Sequence, residues 1–132
     1  MSIQQGQHYL VVGGSSGIGR EVARRLLSVG AGVSVWSRRK PEDIVSSGAE
    51  WTEVDVTDDE AVAAADVPDH LDGVVYAPGS INLGAFRRLE TTVYRDDYDL
   101  NVIGAVRVLK ATLPALTTDE GGAVVMYSTV AA

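Results

Sequence analysis

The chain has 132 residues, no cysteine and a formal net charge of -7, from 18 acidic and 11 basic side chains. This length and a hydrophobic content of 45% predict a single globular domain over residues 1–132. The absence of cysteine excludes disulfide frameworks, thiolate zinc sites and cysteine nucleophiles, and the acidic balance disfavours nucleic-acid binding. Because the sequence shows neither a signal segment nor an apolar run of membrane-spanning length, we expect a cytoplasmic protein.

Apolar runs alternate along the chain with segments of helical periodicity. Five runs are predicted as strands, at residues 9–12, 33–36, 51–54, 73–76 and 123–127. After the first run, Ile18, Val22, Leu26 and Val29 recur at helical spacing, and Gly30 is placed to end that helix. Before the fourth run, Thr57 or Asp58 is predicted to cap a short helix that reaches Ala65. This alternation predicts an α/β fold with a doubly wound parallel sheet.

A long helix is predicted before the fifth strand. Its apolar positions trace one face, and they are Val102, Ala105, Val106, Leu109, Leu113 and Leu116. Pro114 must lie near the end of this helix, because an interior proline removes a helical hydrogen bond. Asp96, Asp97 and Asp99 crowd the expected start of the helix, where negative charge suits the helix dipole.

A glycine-rich loop, Gly13-Gly14-Ser15-Ser16-Gly17-Ile18-Gly19, joins the first strand to the first helix. Its glycines allow a tight turn and close backbone approach, and the N-terminus of the following helix offers N–H groups and a positive dipole end to a pyrophosphate. A glycine-rich loop can also be a plain turn. Its position directly after the first buried strand favours phosphate binding.

The spacing G-x-x-x-G-x-G resembles that of the short-chain dehydrogenase/reductase family, and further motifs extend the resemblance over essentially the whole chain. The resemblance implies a Rossmann-type sheet with strand order 3-2-1-4-5, without the last strands of the full family fold. It also implies a nicotinamide dinucleotide cofactor and hydride transfer to or from a carbonyl or alcohol substrate. The cofactor-binding residues that it implies in this loop are Gly13, Ser15, Ser16, Gly17, Ile18 and Gly19.

Two further loops match cofactor-binding segments of the family. Asp55 and Val56 follow the third strand, where the family holds the adenine ring with an Asp side chain and the next backbone N–H; a turn-forming Asp is the alternative. Tyr76-Ala77-Pro78-Gly79 follows the fourth strand, where the family usually has Asn-Asn-Ala-Gly along the nicotinamide ribose. Ala77 and Gly79 are therefore cofactor-binding candidates, whereas the tyrosine and the proline depart from the motif.

The turn after the second strand, Ser37-Arg38-Arg39-Lys40, bears on the choice of cofactor. An acidic residue there would bind the ribose 2′-hydroxyl of NAD(H) and repel a 2′-phosphate, and this turn has none. Arg38 directly follows the position that is Asp in family members that prefer NAD(H). Because guanidinium groups bind phosphate bidentately, Ser37, Arg38 and Arg39 predict a preference for NADP(H) over NAD(H). A solvated basic turn is the alternative.

The resemblance also implies catalytic residues. Asn101 matches the family's helical Asn, which bends the helix and orders a proton-relay water; a solvated or capping Asn is the alternative. The segment after the fifth strand places the family's catalytic Ser at Thr129, which retains the hydroxyl, with Ser128 just before it. The family's Tyr-x-x-x-Lys pair would follow on the next helix, and the chain ends at Ala132. We therefore expect the chain to be inactive alone.

Other features have weaker implications. His8 and His70 lack a spacing that indicates a metal site, so no metal is expected. The fifth strand is expected to leave an apolar sheet edge, so we expect the chain to form a homo-oligomer or to pair with a complementary C-terminal piece. A second interpretation is a non-catalytic NADP(H)-binding or redox-sensing module that associates through this edge. A third is a domain for another nucleotide, against which Asp55 and Asn101 argue.

Overall fold

The computed structural model describes residues 3, 5–118 and 120–128. Across these residues the chain forms a five-stranded sheet of β1 (His8–Val12), β2 (Gly32–Ser37), β3 (Glu50–Glu53), β4 (Gly73–Tyr76) and β5 (Ala123–Met126). Every neighbouring pair is parallel, and the strand order is β3-β2-β1-β4-β5. The predicted fold class and strand order are therefore confirmed.

Helices α1 (Gly17–Ser28) and α2 (Glu42–Ser46) pack on one face of the sheet, and α3 (Asp59–Ala64) and a later helix, Gly104–Leu116, pack on the other. Between them, α4 (Thr91–Tyr98) buries no residue and leads through a π-helical turn, Asp99–Ile103, into that later helix, α5. Side chains of β1 alternate between two cores: Tyr9 and Val11 pack with α1 and α2, whereas Leu10 and Val12 pack with α3 and α5. This two-sided burial explains why the run at 9–12 is continuously apolar. Asp58 caps α3 through its side chain, as predicted.

Two of the four apolar positions at helical spacing on α1, Val22 and Leu26, pack into the core, and the other two do not. Ile18 and Val29 are more than half exposed, whereas Gly19, Ala23 and Leu26 are buried. Small residues at the first two of these positions let the helix lie close to the sheet, which the spacing of large apolar residues did not indicate. Gly30 follows the helix with a φ of 85°, in agreement with its predicted place at the end.

The apolar face predicted on the long helix is only partly buried. Val102, Val106 and Leu113 are 40–56% exposed, whereas Ala105 and Leu116 are buried. The predicted positions share one stripe of about 100°, but the helix is rotated by roughly a quarter turn from the orientation that would bury it. The stripe against the sheet comprises Ala105, Val108, Thr112, Ala115 and Leu116. Pro114 lies within the last turn of α5, as predicted.

The predicted placement of Asp96, Asp97 and Asp99 at a helix start was wrong. Asp96 and Asp97 lie in the last turn of α4, and Asp99 opens the π-helical turn. Because the helical segment begins at Thr91, these carboxylates are far from a helix N-terminus. Asp97 instead accepts hydrogen bonds from the loop after β4.

The carboxyl ends of four strands are linked by backbone hydrogen bonds. The N–H of Val54 donates to Ser37 O at 3.1 Å, that of Gly13 to Trp36 O at 2.8 Å, and that of Ala77 to Val12 O at 2.9 Å. The loops after β1, β3 and β4 therefore each begin with a bond to the neighbouring strand. These bonds set the spacing of the four loops that leave this end of the sheet.

One edge of the sheet is β5, which pairs with β4. Val124, Val125 and Met126 are 43–56% exposed, so an apolar strand lies uncovered at this edge, as predicted. No helix in the described part of the chain is long and apolar enough to cross a membrane.

Candidate functional site

A cavity of about 820 Å³ lies at the carboxyl ends of β1 to β4, where the connections from β1 and β4 pass to opposite faces of the sheet. Crevices at this switch point are the usual binding places of open α/β sheets. Most of the predicted cofactor residues line the cavity, namely Gly13, Ser15, Ser16, Gly17, Ile18, Ser37, Arg38, Arg39, Asp55, Val56, Ala77 and Gly79. Gly19 does not line it and instead packs against the backbone of the loop.

The glycine-rich loop needs glycine at three positions for different reasons. Gly13 has a φ of 79°, and a Cβ there would lie 2.7 Å from the nitrogen of Pro78. Gly17 has a φ of 54°, which side-chain-bearing residues rarely adopt. A Cβ on Gly19 would overlap the carbonyl oxygen of Gly13. The loop therefore keeps the first turn of α1 close to the end of β1.

The start of α1 fits an anionic group. Ser16 is the N-cap residue, yet its side chain makes no capping hydrogen bond, and the first turn contains no acidic residue. The N-terminal N–H groups and the positive end of the helix dipole therefore lack a competing carboxylate in that turn. Because Ser15, Ser16 and Gly17 line the cavity, a phosphate could approach these groups closely.

The turn after β2 is shaped by the buried hydroxyl of Ser37. This hydroxyl donates to the carbonyl oxygen of Arg39 at 2.6 Å and accepts from the indole nitrogen of Trp51 at 3.0 Å. Arg38 and Arg39 are exposed, line the cavity and form no salt bridge within the described part of the chain. The turn therefore presents two guanidinium groups to the cavity, while Ser37 has a structural role in the turn.

Asp55 forms a local turn and also lines the cavity. Its Oδ1 atom accepts from the backbone N–H of Thr57 at 2.9 Å and from the Thr57 hydroxyl at 2.7 Å. The Thr57 hydroxyl, followed by the Thr57 N–H, holds the pKa of Asp55 below its ordinary value, and the charges of Arg38 and Arg107 act in the same direction. The carboxylate is therefore ionised at neutral pH and can accept a hydrogen bond from an amino group of a ligand.

Arg107, on α5, holds the loop after β3 against the π-helical turn. Its guanidinium pairs with Asp59, donates to Asp99 Oδ1 at 2.7 Å and donates to the carbonyl oxygen of Val56 at 3.1 Å. The hydrogen bond to Asp59, and the further bond to Asp99, raise the pKa of Arg107. Sequence reasoning missed this residue, because its partners are up to 51 positions away and no local pattern connects them.

Asn101 is bonded to the loop after β4. Its Oδ1 atom accepts from the N–H of Ser80 at 2.9 Å, and its Nδ2 atom donates to the carbonyl oxygen of Ser80 at 2.7 Å. The helix departs from α geometry here, since Asn101 lies in the π-helical turn. Asp97 holds the same loop by accepting from the Ser80 hydroxyl and from Asn82. The Ser80 hydroxyl bond is the main cause that lowers the pKa of Asp97.

Tyr76, considered from the sequence only as a departure from the family motif, is buried at the end of β4. Its hydroxyl donates to the carbonyl oxygen of Leu100 at 2.5 Å. Burial raises the pKa of Tyr76 to about 12, so the hydroxyl remains a donor over the physiological range.

The remaining predicted residues are divided between two ends of the sheet. Ser128 is exposed just beyond β5, and Thr129 lies outside the described residues. His8 and His70 lie at the amino end of the sheet, away from the cavity. The ring of His8 bonds the Ser34 hydroxyl at 2.8 Å, and that of His70 bonds Asp72 at 2.9 Å.

Residues 7–132 match a sequence model of a protein family, and the description of that family is "short chain dehydrogenase". The chain belongs to the short-chain dehydrogenase/reductase family. A short chain dehydrogenase of Pseudocercospora fijiensis is 29% identical, with 97% of this chain and 46% of the relative covered. The 3-dehydrosphinganine reductase TSC10B of Arabidopsis thaliana is 31% identical, with coverage of 87% and 38%.

Solved structures of the family share this architecture. A short-chain dehydrogenase from Streptomyces avermitilis superposes with a TM-score of 0.81 at 32% identity, over 91% of this chain and 48% of the other. The chain thus spans about half the length of the relatives that it matches. The matched part contains the sheet and the cavity at its carboxyl ends.

Proposed function

We propose that the chain is the NADP(H)-binding part of a short-chain oxidoreductase that transfers hydride between the cofactor and a carbonyl or alcohol carbon. The observation that carries the choice of NADP(H) is the turn after β2, which places Arg38 and Arg39 on the cavity with no acidic residue in the turn itself. Two guanidinium groups suit a 2′-phosphate, whereas a carboxylate there would repel it. The cytoplasm is the proposed location.

Within this proposal, each wall of the cavity has a defined task. The start of α1 binds the pyrophosphate, Asp55 and Val56 hold the adenine ring, and Ala77 and Gly79 lie along the nicotinamide ribose. The cofactor supplies or accepts the hydride.

The catalytic groups lie beside the cofactor in this proposal. Asn101 keeps the loop at Ser80 in place, and hydroxyls at Ser128 and Thr129 orient the substrate oxygen. Proton transfer by a Tyr/Lys pair requires residues beyond these 132, so the chain alone should not turn over.

Thermal unfolding with NADPH or NADH at equal concentration tests the cofactor assignment, since a ligand that binds the folded state raises the unfolding temperature. NADPH should produce the larger rise. Replacing Arg38 by Gln should weaken NADPH binding about tenfold to a hundredfold, as expected for loss of a charge-assisted hydrogen bond, and leave NADH binding nearly unchanged.

Arg88→Gln is the matched control, because it removes the same charge from an exposed site that does not line the cavity. It should leave both affinities unchanged. Equal effects of the two cofactors on the original chain would contradict the preference for NADP(H). No effect of either would contradict nicotinamide binding by these 132 residues.

The exposed edge of β5 favours a second candidate, a non-catalytic NADP(H)-binding module that associates through this strand with a second copy. Val125, in the middle of the edge, is 45% exposed. Sedimentation velocity of the chain and of Val125→Lys tests association through this strand, because a charge on an edge strand opposes pairing. Self-association that the substitution abolishes is required by the module, and a monomer at all concentrations contradicts it.

A further inference from the structure

Tyr76 connects the end of β4 to the helical segment above it. Its side chain is only 4% exposed, and its hydroxyl donates to Leu100 O. A buried tyrosine hydroxyl needs an acceptor. A carbonyl in the middle of a regular α-helix is normally already bonded to an N–H four residues later. The contact therefore requires a local change in the helix.

The π-helical turn provides that change. The N–H of Gly104 bonds to the carbonyl oxygen of Asp99, five residues earlier, and not to that of Leu100, four residues earlier. The Leu100 carbonyl is thereby released from its α-helical partner and accepts the tyrosine hydroxyl. π-Helical insertions of this kind are frequent at functional sites.

Gly104 provides the space for this contact. A Cβ at position 104 would overlap the hydroxyl oxygen of Tyr76 and would lie 3.2 Å from a methyl group of Val56. The hydroxyl of Tyr76 therefore fits at this place because residue 104 has no side chain.

The contact also connects to the loop that lines the cavity. Asn101, next to Leu100, makes two hydrogen bonds to the backbone of Ser80. Tyr76 and Ser80 flank residues 77–79, so both ends of this three-residue segment are attached to the same helical turn. Pro78 in its middle has no N–H to donate. The two attachments thus fix a segment that lines the cavity.

We propose that Tyr76 is a positioning residue for the nicotinamide half of the cavity. Its hydroxyl holds the π-helical register that directs Asn101 to Ser80, and this register sets the place of residues 77–79. Without the hydroxyl, Leu100 O recovers the Gly104 N–H, and the turn relaxes by one residue. One residue corresponds to about 100° of rotation around a helix, which takes Asn101 away from Ser80. The assignment to nicotinamide rests on the proposed function.

The test is Tyr76→Phe in the 132-residue chain, with calorimetric titration of NADPH and of 2′,5′-ADP. The second ligand has the adenosine end with its 2′-phosphate and lacks nicotinamide. The substitution should weaken NADPH binding about tenfold, the size expected for loss of a buried hydrogen-bond connection, and change 2′,5′-ADP binding by less than about twofold. A purely structural role would weaken both ligands equally.

Tyr9→Phe is the matched control. Tyr9 is also buried, and its hydroxyl donates to Gln7 Oε1 at 2.9 Å, near the other end of the sheet. This variant should leave the ratio of the two affinities unchanged. A change in the ratio like that of Tyr76→Phe would overturn the proposal.

Hydrogen exchange at the Ser80 amide gives a readout that needs no nucleotide. This N–H donates to Asn101, so its exchange should accelerate in Tyr76→Phe and stay slow in Tyr9→Phe. Unchanged exchange at Ser80 would overturn the proposal. If the original chain bound neither nucleotide, the proposed function would fail, and the Ser80 amide would still decide whether Tyr76 controls the turn.

Discussion

The hydroxyl of Tyr76, at the end of β4, lies 2.5 Å from the carbonyl oxygen of Leu100 in the π-helical turn. This hydrogen bond joins the central sheet to the helical segment at the one place where that segment departs from α geometry within the described residues. The strand end, the helical turn and the cavity loop are therefore parts of one hydrogen-bonded unit. Their interdependence can be measured.

Gly104→Ala should depend strongly on Tyr76. In the original chain the added methyl group meets the tyrosine hydroxyl, and we expect a loss of about 1–3 kcal/mol in the free energy of unfolding. In a Tyr76→Phe background the obstructing oxygen is absent, and the loss should be smaller by at least about 1 kcal/mol. Urea denaturation of the four proteins measures this coupling. Equal losses in both backgrounds would show that the hydroxyl is not the obstacle.

Stability at high pH should report on the same tyrosine. The folded-state pKa is raised to about 12 from an ordinary value of 10.0, because burial disfavours the phenolate. The neutral hydroxyl therefore stabilises the fold fully below pH 10, and this contribution is lost as the pH rises towards 12. Titration of phenolate absorbance should show a late component that Tyr76→Phe removes. Persistence of that component in the variant would assign it to another tyrosine.

Arg107→Met should destabilise the chain by about 1–3 kcal/mol, because it leaves the Val56 carbonyl and the Asp99 carboxylate without their donor. The control Arg20→Met removes an exposed pair with Asp43 and should cost less than about 1 kcal/mol. Thermal unfolding compares the two. If both substitutions lowered the unfolding temperature by a similar small amount, the hydrogen bonds of Arg107 would not hold the loop after β3.

Gly19→Ala should disturb the start of α1 even though alanine favours helices. The new methyl group would overlap the carbonyl oxygen of Gly13, and backbone cannot yield as a side chain can. We expect weaker NADPH binding and a loss of stability of about 1–3 kcal/mol. Ser28→Ala, at the exposed end of the same helix, is the control for helix propensity. Normal NADPH affinity in Gly19→Ala would contradict the close approach.

Much of the fold followed from the sequence because local patterns determine it. The buried run at 9–12 and the capping side chain of Asp58 each act through neighbours in the chain. The glycine-rich loop was equally evident, since its positive φ angles leave few alternatives to glycine. For these elements, periodicity and local chemistry were sufficient.

The rest depended on contacts between distant residues. The exposure of Val106 follows from which side of α5 meets the sheet, and apolarity alone did not show this. The roles of Tyr76 and Arg107 depend on partners 24 and up to 51 residues away. The π-helical turn likewise results from a tertiary contact, so a helical pattern around Asn101 could predict a helix but not its departure from α geometry.

The backbone bonds between the strand ends fix the distance across the floor of the cavity. Neighbouring strands are about 4.8 Å apart, so the loops after β3 and β4 are separated by three strand spacings, or about 14 Å. This length is set by Val54, Gly13 and Ala77 through main-chain atoms, independently of their side chains. Substitutions along the floor can therefore change which chemical groups are recognised, while the length of the ligand that reaches both ends stays the same.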